Sequence, residues 1–109
     1  MEITPLKIYD GKTVVKEYHA ETIDLSFGIV EDVLDALDFE NMNRQTEIAG
    51  MIIKASKQLR PLLKDVFDGV TDDEIRHTRI QNLVDIFRDL YKYAMQELGK
   101  TAAAGNEKN

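Results

Sequence analysis

Apolar positions recur along this chain in two periods. Near the start, the runs Leu6-Lys7-Ile8-Tyr9 and Lys12-Thr13-Val14-Val15-Lys16-Glu17-Tyr18 flank Asp10-Gly11, a favoured two-residue turn, and so predict a β-hairpin. A two-residue register places Ile8 opposite Thr13 and Leu6 opposite Val15 on the face that would meet a core. A lone hairpin is marginal in water, so helices must cover that face.

Beyond the hairpin the period lengthens. Phe27, Val30, Val33, Leu34 and Leu37 fall at spacings of three and four across residues 27–38, Ser26 can cap the start, and Glu31, Asp32, Asp35 and Asp38 turn elsewhere. Asn41-Met42-Asn43 breaks this helix. A second carries Ile48, Met51, Ile52, Ala55 and Leu59 on one stripe, and Pro61, which has no N–H and crowds the preceding turn, should kink or restart it. Leu62, Leu63, Val66 and Phe67 then continue the stripe to a stop at Asp68-Gly69. Thr71-Asp72-Asp73-Glu74 is a capping box, and three carboxylates complement the positive end of the helix it opens. That third helix repeats Ile80, Val84, Phe87, Tyr91, Ala94 and Leu98, widened by Leu83, Leu90 and Met95, until Gly99. From 72 to 98 it would run about 40 Å, against about 33 Å for a domain of this size. Part of its stripe should project, which favours a homo-oligomer or a partner over it.

The fold class expected is therefore α+β, mainly α: an N-terminal β-hairpin packed on three amphipathic helices, the last one long. With 109 residues, 43% of them hydrophobic, the chain suits one globular domain over 1–100 and a flexible polar tail over 101–109. The lack of cysteine excludes a disulfide framework or thiolate metal cage and suits a reducing compartment. No apolar run nears the ~18 residues of a membrane span, and the start Met1-Glu2-Ile3-Thr4-Pro5 lacks signal-peptide regions, so a cytoplasmic protein without membrane contact is expected.

Charge sharpens the picture. The net charge is −6, and between Lys16 and Arg44 no lysine or arginine interrupts Glu17, Glu21, Asp24, Glu31, Asp32, Asp35, Asp38 and Glu40. Nucleic-acid binding needs clustered cations, so it is disfavoured. Lys54, Lys57, Arg60 and Lys64 recur at helical spacing beyond this stretch. The acidic surface serves solubility and pairing between helices, or steers a basic partner.

Candidate chemistry is sparse. Glu74-Ile75-Arg76-His77 has the Glu-x-x-His spacing of di-iron bundles, but such a site needs two of these motifs and two further glutamates, and Glu74 is already a cap. His19 lies in a charged strand end and reads as a surface residue. Asp72-Asp73-Glu74 lacks the ligand spacing and glycine of a calcium loop. Ser26 and Ser56 read as a cap and a helix-face residue rather than nucleophiles. Arg76 and Arg79 could reach a phosphate only past three carboxylates. Neither an enzyme, a cofactor nor a metal is expected, and the residues point to interaction. The partner-binding residues expected are Ile80, Val84, Phe87, Tyr91 and Leu98 on the long helix, with Asp32 and Asp35 on the acidic one.

The order of a hairpin through Leu6 to Tyr18, an acidic helix ending Val33-Leu34-Asp35-Ala36-Leu37-Asp38, then Asp72-Asp73-Glu74-Ile75 leading into a long helix, resembles the tail assembly chaperones of long-tailed bacteriophages. The likeness spans residues 1–100 and rests on size, acidity and element order. It implies a small protein, absent from the mature virion, that coats the tape measure protein, hides its aggregation-prone helical surface and helps bring in tail tube protein subunits. Such proteins often have a longer, frameshifted form. Two other classes of function remain open from the residues: an acidic inhibitor imitating nucleic acid with the carboxylates of residues 17–40, and another small helical interaction module, such as an enzyme subunit with no active site of its own.

Overall fold

Gly11 decides how the hairpin closes. The structure, a computed structural model, describes the backbone of residues 3–20, 26–37 and 45–107, with the side chains in those ranges except Ile29, Gln45, Leu98 and residues 100–107. Strands β1 (Leu6–Asp10) and β2 (Thr13–Tyr18) pair antiparallel, with Asp10 opposite Thr13, so the two-residue turn is Gly11-Lys12 and not the expected Asp10-Gly11. Placing Asp10 first in a type I′ turn would have forced it to a positive φ. Here Gly11 takes the first position at φ 63°, as a type II′ turn requires, and among the described residues only glycines have positive φ.

A bulge corrects the register further along. Tyr9 faces Val14 but Ile8 faces Lys16 and Leu6 faces Tyr18, leaving Val15 as the extra residue, 59% exposed. The expected pairs Ile8–Thr13 and Leu6–Val15 are thus replaced. β1 alone supplies the buried face, through Leu6 and Ile8, while β2 is exposed as far as Glu17. The free edge of β1 is closed by tertiary contacts. The Asn82 side chain donates to the Pro5 carbonyl (2.9 Å) and accepts from Lys7 N (2.8 Å), standing in for a third strand's peptide. Tyr9 N donates to the His77 carbonyl at 2.8 Å.

The three expected helices appear as five segments. Helix α1 (Phe27–Ala36) opens with Val30 N donating to the Ser26 carbonyl and buries Val33, with Leu37 following it. Phe27, expected on the buried stripe, is 80% exposed instead. The expected break at Asn41-Met42-Asn43 lies outside the described residues. Helices α2 (Gln45–Lys54) and α3 (Ser56–Val66) divide at Ala55, not at Pro61, which sits inside α3. A proline ring conflicts with the carbonyl four residues earlier. That residue is Lys57, an exposed position in the first turn of α3, where displacing one carbonyl toward water disturbs little packing. Gly69 at φ 89° turns the chain after α3, as expected.

The capping box forms as expected but opens a helix of only four residues, α4 (Asp72–Ile75). The chain leaves the helix at Arg76–Arg79, and α5 (Ile80–Glu107) begins anew. The reason is tertiary: the His77 carbonyl, which a continuous helix would use internally, accepts from β1, and the Thr78 hydroxyl donates to the Ile75 carbonyl at 2.7 Å. Gly99 does not end α5, because it lacks the positive φ of a helix-terminating glycine. The helix therefore includes residues 101–107, which the sequence assigns to a tail.

α5 packs on α1, α2 and β1, and α3 packs on α1 and α2. Their shared core includes Leu6, Val33, Leu37, Ile52, Leu62, Leu63, Phe67, Val84, Ile86, Phe87 and Leu90, and among the described residues it contains no buried polar side chain. Among the same residues, no helix is long and apolar enough to cross a membrane.

Candidate functional site: an apolar groove with a cationic rim

Where α2 bends into α3, Ile52, Ile53 and Ser56 splay away from the start of α5. The break between α4 and α5 holds the facing wall, Ile75, Arg76, Thr78, Ile80 and Leu83, at a distance, and Leu59, Leu63 and Phe87 form the floor. The result is an apolar groove enclosing about 220 Å³. Ile53 and Ile80 stand on its two sides, 58% and 41% exposed, and Arg60 and Arg76 bring positive charge to its edge. Neither guanidinium has an ion-pair partner among the described residues, in contrast to Lys64, which pairs with Asp72 at 3.0 Å, and Lys16, which pairs with Glu74 at 3.3 Å. In a chain of net charge −6, an apolar slot with two unpaired arginines suits a ligand that is apolar and anionic.

Rigidity of the facing wall comes from an interlocked cluster. Tyr18 donates its hydroxyl to Glu74 Oε1 at 2.6 Å, Thr71 N donates to the same oxygen at 3.1 Å, and Glu74 N donates to Thr71 Oγ1 at 3.1 Å. These bonds hold the Glu74 carboxyl below the ordinary glutamate range, the Tyr18 hydroxyl contributing most. Lys16, 4.6 Å from the Tyr18 ring, is pushed up by its contacts with Tyr18 and then Glu74. Arg79 stacks 4.5 Å from the Tyr9 ring and donates to the Gly11 carbonyl, which commits it to the hairpin.

The expected partner-binding residues lie in different settings. Ile80 lies in the groove wall. Val84 and Phe87 have no solvent-exposed surface and belong to the core, Phe87 at the bottom of the groove and Val84 away from it. Tyr91 is half-buried beside them, and the Leu98 side chain lies outside the described residues. Asp32 and Asp35 are exposed on α1, Asp35 accepting from Gln58 Nε2 at 2.9 Å. The Glu-x-x-His pair is also engaged, Glu74 as above and His77 Nδ1 2.8 Å from the Asp73 carbonyl oxygen. Among the described residues no three His, Asp or Glu side chains are grouped as a metal site would need.

Ile53 and Arg60 belong to the groove without standing on the predicted stripe. The signal for Ile53 in the sequence is an apolar residue one position off the Ile48-Met51-Ile52 stripe. No protein-family description, curated protein or solved structure matches this chain.

Proposed function

We propose that this protein is a non-enzymatic phage tail assembly chaperone that binds and solubilises the tape measure protein and helps recruit tail tube subunits, acting in the host cytoplasm and leaving before the virion matures. The observation that carries the binding step is the groove with exposed Ile53 and Ile80 on its sides. A helix docks into such a slot through apolar residues at spacings of three, four and seven, and a tape measure protein is a long helical chain that needs its apolar stripe hidden. Affinity comes from the apolar anchors, while Arg60 and Arg76 set register and salt sensitivity.

Co-expression with tape measure segments tests this reading. The wild type should keep one or more segments soluble and co-purify with them, whereas Ile53→Asp with Ile80→Asp should remain folded and lose the segment. Failure of the wild type to retain any segment overturns the reading. A second reading, the nucleic-acid mimic, is favoured by Glu31 and Asp32, which are exposed and unpaired among the described residues. If Asp32→Lys with Asp35→Lys abolishes partner binding in a folded protein, the carboxylates are primary and the mimic gains. If only the salt dependence changes, the chaperone reading stands.

A further inference from the structure

We propose that, in the absence of another partner, the groove receives helix α1 of a second copy of this chain, with Phe27 entering between Ile53 and Ile80 and with Glu31 and Asp32 facing Arg60 and Arg76. Helix α1 buries Val33 against the core and turns Phe27, Gly28, Glu31, Asp32 and Asp35 outward on one continuous face. That face has the complementary chemistry to the groove. It carries a large aromatic ring that is 80% exposed, two carboxylates without ion-pair partners among the described residues, and beside the ring Gly28, which has no side chain to hold another backbone away and has Ser26 Oγ 3.9 Å from where a Cβ would stand. The groove offers an apolar slot of about 220 Å³ and two guanidinium groups without ion pairs among the same residues. The opposite inner face of α1 is held by α3 and α5, so its outer face points away from its own molecule and another copy must supply the helix.

The two surfaces are different patches, which leaves two geometries. If each copy gives a helix and takes one, the contact closes as a two-fold isologous dimer; if not, it is heterologous and grows by addition or closes a ring. The contact deepens the proposed function by filling the same groove, yet it needs only this chain: a foreign helix would then displace α1, and self-association would protect the apolar slot until it arrives.

Sedimentation velocity over a range of concentrations reads the association, with dilute thermal melting as the fold control. Wild type should associate as concentration rises. Phe27→Ala should weaken association by at least about tenfold and leave the dilute melting temperature unchanged. Glu31→Lys with Asp32→Lys should be monomeric alone, as should Arg60→Glu with Arg76→Glu, while an equimolar mixture of the two variants should associate again. A wild type that stays monomeric throughout, a mixture that fails to restore association, or a Phe27→Ala protein that melts lower when dilute each overturns the contact. Tape measure co-purification by Phe27→Ala separates the two proposals: retention leaves the chaperone reading standing whatever the fate of self-association.

Discussion

At the scale of single residues, burial and hydrogen bonding divide the apolar and charged positions into those that hold the fold and those open to partners. Phe87 has no exposed surface, so Phe87→Ala should destabilise the protein by about 3–5 kcal/mol, a large share of the total for such a domain, as measured by urea unfolding. Glu74 gives a pH test. Its folded-state pKa lies below the unfolded value of 4.5, so its stabilisation is full above that value and is lost as pH falls through the folded one. Glu74→Gln keeps a side chain able to complete the capping box but removes the charge. Its melting temperature should therefore be lower than wild type at pH 7, and the gap should narrow once pH falls below 4.5 and close as pH passes down through the folded-state value. A gap independent of pH would show that Tyr18 and Thr71 are indifferent to the carboxylate's charge.

At the scale of elements, the hairpin and the helices depend on each other through few, identifiable contacts. Asn82 satisfies the chain at both Pro5 and Lys7, so Asn82→Leu should leave two partly buried peptide groups unpaired and cost about 1–3 kcal/mol, with hydrogen exchange at Lys7 N rising most. Two glycines make a contrasting pair. Gly50 lies within α2 with nothing near the position of an added Cβ, so Gly50→Ala should raise stability by about 0.5–1 kcal/mol. Gly69 also has open space, but at φ 89°, and Gly69→Ala should lower stability by about 1 kcal/mol or more. Chemical denaturation of both variants checks the pair. The Pro61 signal is legible in the sequence as a disturbance but not in its place. A proline specifies which hydrogen bond is missing, whereas packing on α1 and α5 selects where the rod bends.

At the scale of the whole molecule, the long final helix sets the shape. The extents are 56 × 29 × 20 Å and the Cα radius of gyration is 14.8 Å, against about 13 Å for a compact chain of this length. Small-angle scattering of a dilute sample should therefore show an elongated particle, and a compact sphere would exclude this arrangement of α5. The sequence alone determined the hairpin, the three amphipathic stretches, the capping box at Thr71 and the α+β class, because each follows from short-range period or from a turn residue's own backbone preference. Tertiary structure decided the rest. The Gly11-Lys12 turn and the Val15 bulge depend on which face of β1 the core takes, and the break between α4 and α5 depends on the Tyr9 N–H, which reaches the His77 carbonyl from a strand nearly seventy residues earlier. The groove follows from two such breaks, at Ala55 and at Arg76–Arg79, brought face to face. A hydrophobic stripe records that a side chain avoids water, but not whether its own chain or another molecule covers it. Val84 and Phe87 are therefore core, and Ile80, Ile53 and Phe27 are left open, although all but Ile53 fall on the predicted stripes.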